Sequence, residues 1–179
     1  MNGRVLKAAL LLTLAGALGG CGAARGLYYA ATQRVVKVTT EGMAPTVKPG
    51  EDVVVDPTFY VGNPVRRFDV VVFRPLPANV PDAPGSDEHP VYLQRVLGLG
   101  GETLEVRGGL IYVDGLALEE PFDTVPLSEA EHHGPLKIPQ GELFLMGDNR
   151  RNSYDSRHWP EPTLAESRLL GKVVKVLPR

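Results

Sequence analysis

Three stretches of this chain gather side chains able to do chemistry. GDNRRNSYDSR, residues 147–157, is the densest, with Asp148, Asp155, Asn149, Arg150, Arg151, Arg157, Ser153 and Ser156 in one short segment. EGMAPTVKPG, residues 41–50, sets Thr46 and Lys48 after a Met-Ala-Pro turn, with Thr39 and Thr40 just before it. YLQRVLGLGGE, residues 92–102, is an apolar run that carries Gln94 and Arg95. A hydroxyl becomes a nucleophile only beside a base that takes its proton. A candidate moved by one position along a strand points to the opposite face, so Thr39, Thr40, Thr46 and Lys48 make a poor substitute for a positioned pair. His132 and His133 stand in an acidic loop without a third ligand at metal-like spacing, which reads as a solvated loop and not as a zinc site. His89 and His158, beside Pro90 and Trp159, read as surface or packing residues. No metal or cofactor is implied.

The elements that must position these groups are short strands. RVVKVTT (34–40), DVVVD (52–56), DVVVF (69–73), VYLQRVLGL (91–99), ETLEVR (102–107), LIYVDG (110–115), ELFLMGD (142–148) and GKVVKVL (171–177) are β-branched or alternating runs. Gly- and Pro-bearing turns separate them. The expected fold is mainly β. Two Pro-rich acidic stretches, 75–90 and 119–135, read as long surface loops. ATQR and PTLAESRLL (162–170) are the plausible short helices, and no internal repeat is present.

Composition narrows the class. With 43% hydrophobic and 22% charged residues in 179, the chain holds one domain with a sizeable core. A net charge of -2 without a basic stripe argues against nucleic acid. Arg4 and Lys7 precede the uncharged run AALLLTLAGALGG (8–20), and Cys21 follows at once, the pattern of an export signal. That run is shorter than the roughly 20 residues a spanning helix needs. LGGC (18–21) is similar to a bacterial lipobox, and a lone Cys has no internal disulfide partner, so lipidation of Cys21 is expected. The alternative is an uncleaved anchor extending through residues 22–31, which Arg25 interrupts. Either way the basic end stays in the cytoplasm and the domain lies on the outer side of the cell membrane. The expected organisation is an export signal at 1–21, a tether at 22–33 and a β domain at 34–179.

Taken in order, the segments resemble the type I signal peptidase family, membrane-bound serine peptidases that remove signal peptides. Gly-Met-Ala-Pro-Thr (42–46) is similar to the family's Ser-Met-x-Pro-Thr box except at its first residue. RRFDVVVFRP (66–75) is similar to its Arg-Gly-Asp box, with Phe68 for glycine. YLQRVLGLGGE departs from the third box at Gln94, where the family has lysine, and at Gly100, where it has proline. GDNRRNSYDSR matches the fourth box without a departure. The resemblance implies coiled antiparallel sheets with a conical barrel, and a Ser-Lys dyad at one edge of a groove. It places the dyad at Gly42 and Gln94, so no catalytic pair is intact. It also implies a groove and supporting shell of Met43, Pro45, Thr46, Tyr92, Arg95, Asp148, Asn149, Arg150, Ser153, Asp155, Ser156 and Arg157. In it Ser153 or Ser156 would bond the lysine, and the Asp-Arg set would be a catalytic shell or a structural clamp, with Asn149 and Arg150 as exposed contacts.

Gly42 offers no nucleophile, and the amide of Gln94 takes no proton near neutral pH. Alternation places Gln94 on one face with Tyr92 and Val96, an apolar wall of the kind that keeps a lysine neutral. The expected function is therefore an inactive homologue that binds extended apolar or signal-peptide-like segments. The alternatives are an active peptidase with relocated nucleophile and base, and a structural envelope lipoprotein whose two long loops bind a partner.

Overall fold

The computed structural model describes residues 33–79 and 91–178. Strands β1 (Arg34–Lys37), β2 (Asp52–Asp56), β3 (Val70–Phe73), β4 (Tyr92–Gly98), β9 (Glu142–Met146), β10 (Leu164–Ala165) and β11 (Leu169–Leu177) form one antiparallel sheet in the order β1-β2-β11-β3-β4-β9-β10. Strands β5 (Thr103–Arg107), β6 (Leu110–Val113), β7 (Leu116–Ala117) and β8 (His133–Lys137) form a second, in the order β7-β6-β5-β8. The fold is mainly β, as expected.

Curling of the large sheet is written into its bulges. The β11 register shifts between Leu169 and Gly171 against β3, and between Val173 and Lys175 against β2. The β4 register shifts before Gly98. A bulge adds twist and bends its strand. At Gly171, whose φ is 155°, an added Cβ would lie 2.6 Å from the Asp56 carbonyl oxygen. The curled sheet wraps two core clusters. One holds Val71, Phe73, Val96, Leu143, Leu145, Trp159 and Leu164; the other holds Val38, Met43, Val47, Val53, Val55 and Val72. A third, around Leu97, Leu104, Ile111, Ile138 and Phe144, joins the two sheets.

Two sequence expectations are corrected. Residues 162–170 do not form a helix: β10 is followed by one 3-10 turn at Glu166–Arg168 and then by β11. The apolar residues of that stretch pair with β9 and β3, a tertiary gain that outweighs weak helix propensity. The 119–135 stretch is not a free surface loop. Its Leu127 is buried in the core, and its last residues enter β8. The 75–90 stretch holds a 3-10 turn at Pro77–Asn79, and residues 80–90 lie outside the described residues, as do Cys21 and the rest of 1–32, where the export signal is expected.

Candidate functional site

The Met-Ala-Pro-Thr turn is built around Met43. Its side chain is buried among Val38, Val47 and Val53, while the Val47 amide bonds the Met43 carbonyl at 2.9 Å. Pro45 follows a cis peptide bond and is exposed. This anchoring holds Gly42 at the lip of a cleft of about 510 Å³. Val36, Lys37, Val38, Thr39, Thr40 and Glu41 supply one wall, Val91, Tyr92, Leu93 and Gln94 another, and Asn152, Ser153 and Tyr154 the third. Gly42 and Gln94, 52 positions apart in the chain, therefore meet in one place.

Gly42 sits where a side chain would fit. A Cβ built on it meets nothing nearer than the Ser153 hydroxyl at 3.8 Å. Its carbonyl accepts a bond from the Asn149 amide at 3.0 Å, which ties the first box to the last. Gly147 makes that approach possible, since a Cβ there would lie 2.3 Å from both the Gly42 oxygen and the Ser153 hydroxyl. Gln94 is 3% exposed, and its Nε2 donates to the Tyr154 carbonyl at 2.9 Å. Its Oε1 is buried without a hydrogen-bond partner. Burial first, and Tyr154 second, push the Tyr92 phenol above its ordinary pKa.

Beneath the cleft lies a charge network. Asp148, fully buried, accepts Arg95 at both oxygens, 2.8 Å from Nε and 2.5 Å from Nη2, and also the Thr46 hydroxyl at 2.5 Å. Arg95 further donates to the Phe68 carbonyl at 2.9 Å and lies 3.8 Å from the Phe122 ring centroid. Thr46 is thus committed to Asp148 and does not line the cleft, nor does Lys48. Asp155, also fully buried, takes Arg157 at 2.8 and 2.7 Å and the Gly147 amide at 3.1 Å. Burial opposes the Arg157 charge, but Asp155 and Glu131 outweigh it and hold its pKa above the ordinary value. Of the two serines, Ser156 is fully buried and accepts the Leu145 amide at 2.9 Å, leaving Ser153 as the hydroxyl at the cleft.

Asn149 and Arg150, expected as exposed contacts, are buried. The reason is the 119–135 strap, whose composition hid its role. Glu120 forms a forked pair with Arg150, Glu131 pairs with Arg157, and Val125 bridges Asn149 in parallel. Phe122 packs edge-on to Phe68 with centroids 5.4 Å apart. The acidic residues that read as solvated are the counter-charges of the Asn-Arg segment. Spacing gave no sign of this. The His133 ring packs tilted against Phe144, centroids 5.1 Å apart, and among the described residues no three of His, Cys, Asp and Glu converge as a metal site requires.

A curled antiparallel half-barrel with a cleft between the Met-Ala-Pro-Thr turn, β4 and the Asn-Arg segment defines a signal-peptidase-like β domain. The family model described as "Signal peptidase, peptidase S26" matches residues 9–177, and the chain belongs to that family. Its relatives include signal peptidase I of Leptolyngbya laminosa, 38% identical over 122 residues, or 68% of this chain and 58% of that one. The chain thus spans less than two thirds of that relative's length. Signal peptidase I V of Bacillus subtilis (strain 168) is 32% identical over 69% of this chain and 74% of its own. Among solved structures, a signal peptidase I from Enterococcus faecalis V583 is 23% identical with a TM-score of 0.45, covering 63% of this chain and 98% of that one.

Proposed function

We propose that the chain is a signal-peptidase-like domain, tethered through its N-terminus at the outer face of the membrane, that holds extended signal-peptide-like segments without cleaving them. The observation that carries this reading is the meeting of Gly42 and Gln94 in one formed cleft, whose walls set Val36, Val91 and Leu93 beside Lys37, Thr39 and Asn152. A serine nucleophile and a neutral lysine base at those two places are what the family's chemistry needs. A glycine and an amide supply neither. Binding is a separate matter: β1 has β2 as its one ladder partner among the described residues, so its other edge has main-chain groups to offer an added strand. Among the described residues no helix is long and apolar enough to cross a membrane. The tether of this proposal is a lipidated Cys21 or an uncleaved anchor extending through residues 22–31. Mass spectrometry of the mature N-terminus decides between these.

The test is the full chain in detergent micelles with a fluorescent peptide spanning a signal-peptide cleavage region. Saturable binding with the peptide intact is expected. Specific cleavage by pure native protein would overturn the inactive reading, and absence of binding would overturn the peptide-holding one.

One observation favours a second reading, an active peptidase with relocated groups: Lys37 and Ser153 line the same cleft. It requires native cleavage that disappears in both Ser153→Ala and Lys37→Ala. Thr46 and Lys48 are poor candidates, the first being held by Asp148 and neither facing the cleft.

A further inference from the structure

The lip of the cleft at Gly42 is a place of acceptors. Gly42 is half-buried, and a Cβ built on it faces the Ser153 hydroxyl at 3.8 Å and the Asn152 carbonyl oxygen at 3.9 Å, with nothing nearer. Among the described residues that carbonyl accepts no main-chain hydrogen bond. Glu41, one position earlier, is exposed and lines the same cleft, and its Oε2 accepts the Asn152 Nδ2 at 3.2 Å. This bond joins the wall of residues 36–42 to the wall of residues 152–154 and holds the carboxylate beside Asn152. A carboxylate has about four acceptor sites, so one neutral donor leaves most of its capacity and all of its charge unspent. Among the described residues Glu41 is the one carboxylate lining the cleft, and Lys37, four positions back on β1, is the one cation.

We infer that the Gly42 end of the cleft is a site for a primary ammonium group, the free amino terminus of an extended peptide or a lysine side chain at that end. This rests on the peptide-holding reading above. An ammonium carries three N–H donors and one positive charge. At Gly42 it meets a carbonyl, a hydroxyl oxygen and a carboxylate, so each donor has an acceptor and the charge has a counter-charge. A peptide carboxylate would set like charge and lone pairs against the Glu41 and Asn152 oxygens. A hydroxyl or an amide leaves the Glu41 charge unanswered. Because Glu41 and Asn152 are exposed, the bound group keeps water on its outer side and its desolvation cost is small. A serine at position 42 would put its side chain into this space, and glycine leaves it open. Lys37 repels a second cation, which favours a peptide laid with its amino end at Gly42. The class of reaction that supplies a new amino terminus is hydrolysis of a peptide bond.

The experiment uses the full chain in detergent and a C-terminally labelled signal-peptide segment in three forms: with a free amino terminus, N-acetylated, and N-acetylated with lysine as its first residue. At low salt the free form should bind about tenfold more tightly than the acetylated one. Glu41→Gln should reduce that ratio to about two or three, and Ser153→Ala should lower it as well. Raising salt to about 0.5 M should shrink the native ratio, because the Glu41 charge is exposed. Recovery of tight binding by the lysine form upholds the site and extends it to side chains; weak binding of that form upholds it for the α-amine alone. A native ratio near one, with peptide bound, overturns this inference alone. A preference that Glu41→Gln leaves untouched also overturns it. Failure of every form to bind overturns the peptide-holding reading with it. The native ratio needs no variant, so it decides the matter even where Glu41→Gln folds poorly.

Discussion

Restoring the two groups at once is the most searching perturbation of the proposed inactivity. The double change Gly42→Ser with Gln94→Lys should give the chain signal-peptide cleavage. The serine fits, because a Cβ at Gly42 meets nothing nearer than 3.8 Å and the backbone there is not left-handed. The lysine would inherit the Tyr154 carbonyl, now 2.9 Å from Gln94 Nε2, in a place 3% exposed. Burial there pushes an ammonium toward its neutral form. A fall from about 10.4 to near 8 would cost ~3 kcal/mol of stability at pH 7, a loss that shrinks as pH rises toward the unfolded value. Against that cost stands the rate. Removing one member of a nucleophile-base pair forfeits roughly 10⁴ to 10⁶ in turnover, and removing the second adds little. Each single variant should therefore stay near the native background, and the double variant should exceed both by about 10³ or more. The assay is mass-spectrometric detection of a single cleavage in a signal-peptide substrate, with circular dichroism to establish folding. A folded double variant that cleaves no faster than either single variant refutes the reasoning that this cleft is the reaction site of the family.

Other consequences follow from the buried charges and the strap. Asp148→Asn should destabilise the domain by about 3 to 5 kcal/mol in urea unfolding, because it leaves the Arg95 charge buried and unpaired. Glu120→Ala should free the strap from Arg150 and expose residues 118–131 to limited proteolysis that the native chain resists. Phe68 has a φ of 73°, so Phe68→Gly should relieve ~1 kcal/mol of backbone strain while losing contact with Phe122, for a net thermal shift smaller than that of Phe122→Ala. Burial against Phe144, opposed by a bond to the Arg157 backbone and then by Asp155, lowers the His133 pKa. The folded state then binds its proton less readily than the unfolded chain. The stabilisation is present above about pH 6.5 and is lost as pH falls through the folded value, with Arg157 and His158 adding to the lowering. His133→Gln should flatten that part of a stability-against-pH curve.

The strands that carry the site were legible because valine-rich runs such as Asp52–Asp56 and Val70–Phe73 announce themselves locally. Ordered boxes then placed Gly42 and Gln94 in one groove, and the cleft brings them together. What escaped were contacts whose partners lie far apart in sequence. Nothing near Glu120 signals that it closes on Arg150, or that Phe122 covers Arg95 and Phe68. Proline and acid content marked that stretch as loop, and the marking was correct for its backbone over most of its length. It was misleading for its energetics, since a loop can be held by long-range ion pairs as firmly as a strand by its ladder. Likewise the choice between Ser153 and Ser156 needed three dimensions. Their sequence surroundings are alike, yet one hydroxyl accepts the Leu145 amide and the other faces the cleft.

The Asp148 and Asp155 networks near Gly42 and Gln94 have a physical explanation that does not invoke chemistry. Each carboxylate is fully buried and shares its charge with an arginine that also bonds or packs against a second element, Phe68 and Phe122 for Arg95, Glu131 for Arg157. Loss of any one partner strands a charge, so the set is retained for folding whether or not a reaction depends on it. On the proposed reading, Gln94 is the opposite case. A buried lysine is a burden on stability unless its neutral form is useful, and glutamine fills comparable length without an ionisation to suppress. Gln94 meets that length requirement with one buried oxygen left unpartnered.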